Sequence, residues 1–173
     1  MSNIAKTKGF TLLEVLIAVV IFSFGLLGIA GMMTISVRNN HNGYLRSQAN
    51  FLAENMLDRM RANPVALWSG AYSGTASPGT SQCTLAAPCN YLALAQYDME
   101  QWARSVDLAL PNGLGNVNCT GGGGLPAGAT ARAPSIWTPV QPYDGVCTIT
   151  VTWDESTRDT DADPQTMELV AQP

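Results

Sequence analysis

An α+β fold, with one long N-terminal helix packed on a small antiparallel sheet, is predicted by three features of the 173-residue sequence. From Phe10 to Val37 the chain runs 28 residues with Glu14 as its only ionisable side chain. That exceeds the roughly 20 residues a helix needs to cross a bilayer. Leu45, Ala49, Leu52, Met56 and Met60 then recur every three or four residues, one apolar stripe along a helix. Near the C-terminus Cys147, Ile149, Val151 and Trp153 alternate with Thr148, Thr150 and Thr152, the two-residue period of a half-buried strand.

The first element is defined by what flanks it. Lys6 and Lys8 precede the apolar run and most of the chain follows it. The positive-inside bias therefore places the N-terminus in the cytoplasm and the C-terminal part across the membrane. A secretory signal would have a shorter apolar region with a small-residue cleavage site after it. Here the run is longer, and the best processing site, Gly9, stands before it. A plain anchor gives no reason for Glu14, since a carboxylate costs up to about 3 kcal/mol at mid-membrane and less near the interface.

The stretch KGFTLLEVLIAVVIF, residues 8–22, resembles the leader of type IV prepilins and of the pseudopilins of type II secretion. The resemblance implies cleavage by a prepilin peptidase between Gly9 and Phe10, N-methylation of Phe10, and pairing of Glu14 with the N-terminal amine of a neighbouring subunit. It also implies a pilin-like layout. Residues 1–9 would be the leader, 10–37 a transmembrane and filament-core helix, 38–64 its continuation, and 65–173 a periplasmic head. The pairing has a physical basis, because opposite charges in a low-dielectric bundle are each costly alone and much less so together. Gly25, Gly28 and Gly31 recur every three residues within the run. Each costs about 1 kcal/mol of helix propensity relative to alanine, and each permits close backbone approach between helices. Many major pilins have proline at the position of Gly31, so the resemblance points to a minor subunit.

Beyond the membrane segment the apolar stripe carries the helix on to Pro64, with Gly43 a weak point along it. Residues 65–92, rich in Ser, Gly, Thr, Ala and Pro, read as a surface loop. Met99, Trp102, Ala103, Val106 and Leu110 keep helical spacing up to Pro111, a single amphipathic helix with Trp102 in the core. NGLGNVNC reads as a turn into a short strand, and a glycine-rich loop begins at Gly121. Residues 145–154 and 166–172 form the last two strands, an antiparallel pair.

The four cysteines, Cys83, Cys89, Cys119 and Cys147, all follow the apolar run, and an even number in a translocated domain reads as a disulfide set with three possible pairings. A four-thiolate zinc site is the alternative, disfavoured because no pair has C-x2-C spacing. If GNVNC pairs with VCTITV, Cys119 and Cys147 bridge adjacent strands, which leaves Cys83 with Cys89. The stretch from the helix at residue 96 through LPNGLGNV to TITVTWDE also resembles, more loosely, minor pilins of the type IV pilus modification protein PilV family.

No catalytic set is visible. His41 is the only histidine and reads as a surface polar residue, and the four glycines at 121–124 lack the Lys-Ser/Thr of a phosphate loop. Asp159, Asp161 and Asp163 begin a calcium-loop spacing, but Pro164 and Val170 stand where the glycine and closing glutamate belong, so an acidic hairpin is expected. Net charge is −4, and no lysine follows Lys8, which argues against a nucleic-acid partner. The expectation is a non-enzymatic, cofactor-free minor pilin of the bacterial inner membrane, acting in pilus initiation and assembly. Its partners would be other minor pilins, the major pilin, the prepilin peptidase, the inner-membrane assembly platform and membrane lipid. A minor pseudopilin of type II secretion and a membrane-tethered adhesin are the alternatives.

Overall fold

The computed structural model describes residues 9–121, 143–154 and 164–173. The chain divides into two compact units, Met1–Asn42 and Gly43–Pro173, with helix α1 (Leu12–Ala62) running through both. In the second unit come α2 (Pro64–Trp68), β1 (Gly74–Ala76), α3 (Tyr91–Ala109), β2 (Leu114–Thr120), β3 (Val146–Trp153) and β4 (Gln165–Ala171). The strands form one antiparallel sheet in the order β1-β2-β3-β4. The fold is α+β and pilin-like, a long N-terminal helix packed on a small four-stranded sheet.

The stripe on α1 faces the head core as its spacing requires: Leu45, Ala49, Leu52, Met56 and Met60 are all buried, joined by Ala53 and Leu57. They cluster with Ala95, Trp102, Ala103 and Val106 of α3 and with Val117, Ile149, Val151 and Trp153 of the sheet. Trp102 is central. It is fully buried, and its indole Nε1 donates to the Leu52 carbonyl at 2.9 Å, which ties α3 to α1 while satisfying a polar group that would otherwise be costly to bury.

The stretch expected as a loop from 65 to 92 is more structured than its composition suggests. Pro64 does not simply end the helical pattern. It occupies the first turn of α2, where its missing N–H costs no hydrogen bond. Asn63, at the N-cap position, makes no capping bond and instead donates from Nδ2 to the Tyr91 carbonyl at 2.8 Å, joining the α1–α2 corner to the start of α3. β1 adds a short edge strand, and α3 begins at Tyr91, within the stretch expected as a loop, because the Asn90 Oδ1 accepts from Ala93 N at 2.8 Å and caps it.

The β2–β3 register places Cys119 opposite Cys147 and Val117 opposite Ile149, and the β3–β4 register places Ile149 opposite Leu169. Along β3 every apolar residue of the alternating set is buried and every threonine half-buried. Gly115, buried on β2 beneath the Trp102 ring, leaves no room for a Cβ there.

Candidate functional site

α1 begins with Thr11 at its N-cap position. Its hydroxyl accepts from the backbone N–H of Glu14 at 3.3 Å, and its carbonyl accepts from Glu14 N at 3.1 Å and Val15 N at 3.3 Å. Thr11-Leu-Leu-Glu14 is thus the capping-box pattern, in which a threonine cap is followed three residues on by glutamate. The pattern was readable in the sequence, and the half of it that forms is the bond from the Glu14 backbone N–H to the Thr11 hydroxyl. An acidic group in the first turn also faces the positive end of the helix dipole. Among the described residues no hydrogen bond or ion pair engages the Glu14 carboxylate, which remains available to a donor from elsewhere.

Phe10, just before the helix, is 82% exposed and borders the same surface as Glu14, Ala18 and Phe22. From there to Val37 the large apolar side chains are all exposed. The helix is long and apolar enough to cross a membrane. Two hydroxyls of this run are satisfied within the helix itself, Ser23 Oγ donating to the Val19 carbonyl at 2.7 Å and Thr34 Oγ1 to the Ala30 carbonyl at 3.1 Å, as an apolar surround would require. Among the described residues nothing stands where a Cβ of Gly25, Gly28 or Gly31 would be, so no contact with them requires glycine there. His41 is exposed.

The head contains two disulfides, Cys83–Cys89 and Cys119–Cys147. The second joins directly opposed residues of β2 and β3 with Cα atoms 4.0 Å apart, and the first closes a surface loop with Cα atoms 5.3 Å apart. A buried polar network, not anticipated from the sequence, braces α1 against α3. Asp98 accepts from the Tyr72 hydroxyl at 2.8 Å and pairs with the Arg59 guanidinium at 3.1 Å, while Arg59 Nε donates to Asn55 Oδ1 at 2.9 Å. Burial, reinforced by the adjacent Asp98 carboxylate, pushes the Tyr72 phenol well above the ordinary tyrosine range.

The disulfide loop is fastened to α3 by Glu100. Its carboxylate accepts from Ser81 N and from Ser81 Oγ, each at 2.8 Å, and from Gln96 Nε2 at 3.0 Å. The Ser81 hydroxyl and then its backbone N–H hold the Glu100 carboxyl below the ordinary glutamate value. Among the described residues no group of three or more potential metal ligands occurs. Asp159, Asp161 and Asp163, the leader lysines Lys6 and Lys8, and the glycine-rich loop from 122 on lie outside the described residues.

Residues 4–30 match the sequence model of the prokaryotic N-terminal methylation motif. The match spans Gly9, Phe10, Glu14, Gly25 and Gly28 and ends one residue before Gly31. No curated protein and no solved structure matches the chain. The match covers the N-terminal segment alone, which is therefore similar to the methylation motif of prepilin-type proteins.

Proposed function

We propose that the chain is a minor type IV pilin that takes part in initiating and assembling pili at the inner membrane. The observation that carries the reading is the placement of the methylation motif at the start of an exposed apolar helix whose second part enters a disulfide-braced head. Before assembly, lipid covers the apolar face of residues 10–37. On assembly, neighbouring helices replace lipid at little hydrophobic cost, since one apolar surround is exchanged for another. Direction and register must then come from polar groups. Cleavage after Gly9 would create a charged amine on Phe10, one turn before the Glu14 carboxylate. A neighbour shifted along the filament would bring its amine to Glu14, and the pair is far less costly in lipid than two lone charges. Gly31, in place of the proline common in major pilins, favours a minor subunit, and the loose PilV resemblance of residues 96–155 supports the same reading.

Glu14→Val in a strain lacking the native copy tests this. Membrane insertion and head disulfides should be retained, while co-purification with pilus subunits at matched expression should fall severalfold. Equal co-purification of the variant would overturn the assembly role of Glu14. Co-purification of the wild-type protein with type II secretion subunits instead of pilus subunits would replace the pilus reading with the pseudopilin one.

A further inference from the structure

The face of α3 opposite its buried side borders a cleft of about 360 Å³ against the disulfide loop. Such a volume lies within the range of small-ligand sites. One wall is α3, where Tyr97, Gln101 and Arg104 follow at spacings of four and three and so share a helical face. The other wall is the loop from Thr80 to Thr84. Both walls are held in place. The Cys83–Cys89 bond closes the loop, Thr84 and Ala87 exchange backbone hydrogen bonds at 3.2 Å, and Ser81 is clamped to Glu100 by two bonds of 2.8 Å. A wall so fastened has little conformational freedom to lose on binding.

The polar groups left over define what would fit. Glu100 spends its carboxylate oxygens on Ser81 and Gln96, so its interaction with Arg104 is a charge interaction without a direct bond, the smallest of the influences on its carboxyl. Among the described residues the Arg104 guanidinium has neither a hydrogen bond nor an ion pair, which leaves a planar donor fork facing the cleft. Thr84 Oγ1 accepts from Ala87 N at 3.0 Å and keeps its own O–H to donate. The Gln101 carboxamide offers both a donor and an acceptor, and Tyr97 offers a flat ring with a hydroxyl at its end. We infer that this cleft binds an acidic sugar, with the carboxylate on Arg104, the ring against Tyr97, and the hydroxyls on Gln101 and Thr84. The site lies wholly within the head and stands whichever filament carries the chain.

The test uses the full chain in detergent micelles and isothermal titration with methyl β-glucuronide, methyl β-glucoside and acetate. Wild-type protein should bind the glucuronide at least tenfold more tightly than the glucoside, because only the former supplies a carboxylate for Arg104. Acetate at matched concentration should not displace the glucuronide, since the hydroxyl contacts are missing. Arg104→Gln should lower glucuronide affinity at least tenfold and leave glucoside binding unchanged, with an unaltered melting temperature to show that the head is intact. No glucuronide binding by the wild type, equal binding of the two glycosides, or displacement by acetate would each overturn the inference. These ligand comparisons require no variant, so they decide the matter even if Arg104→Gln misfolds.

Discussion

Gly115→Ala probes whether one aromatic ring sets the spacing of the head core. Gly115 sits on β2 between Ala76 of β1 and Val151 of β3, and a Cβ there would run into the Trp102 ring carbons Cζ3 and Cη2. Its φ lies outside the left-handed region, so alanine suffers no backbone strain and the cost is steric. The ring has little freedom to retreat, because it is fully buried and tethered to the Leu52 carbonyl at 2.9 Å. Overpacking of this kind costs about 1–3 kcal/mol, and a tethered ring argues for the upper half. Against that, alanine restricts the unfolded chain and returns roughly 0.4–1 kcal/mol. The net expectation is a loss of about 1–2.5 kcal/mol, a fall in melting temperature of roughly 2–10 °C for a chain of this length. Phenylalanine lacks the outer ring carbons, so in a Trp102→Phe background the same glycine change should cost less than about 0.5 kcal/mol. Thermal unfolding of the detergent-solubilised full chain, disulfides intact, followed by circular dichroism, measures both arms. An equal cost in the two backgrounds, or no loss in the wild type, would refute the steric account.

Mass spectrometry of membrane-extracted protein should show a chain of 164 residues beginning at N-methylated Phe10; an intact Met1 or Ser2 terminus on the bulk would refute the processing assignment. Cys119→Ala with Cys147→Ala, which opens a loop of 28 residues, should cost about 3–4 kcal/mol, and opening the six-residue Cys83–Cys89 separation should cost less, both read from denaturant unfolding. Tyr72 keeps its proton in the folded head at pH values where the unfolded chain has lost it, so the unfolded state binds fewer protons and stability falls as pH rises above about 10. Tyr72→Phe should remove that component, up to about 1.4 kcal/mol per pH unit, and identical alkaline slopes for the two proteins would count against a buried phenol.

The features legible from the residues alone were those repeated along the chain. The 28-residue apolar run, the α1 stripe and the alternation of β3 each say the same thing several times over, and each lies where its period predicts. The basic residues before that run and the capping-box letters Thr11 and Glu14 likewise needed no neighbour distant in sequence. What tertiary structure decided depends on partners far along the chain. Asn63 leaves its cap for a carbonyl 28 residues away, and Gly74–Ala76 becomes a strand only because β2 offers an open edge. Tyr72, Asp98 and Arg59 carry no motif, yet burial forces the three together, since each polar group withdrawn from water must find another. The cleft at Arg104 likewise exists only because a disulfide loop and Glu100 close over one face of α3. Local periods record which face of an element is apolar, whereas the choice of what covers that face is made by chain closure and the mutual satisfaction of buried polar groups.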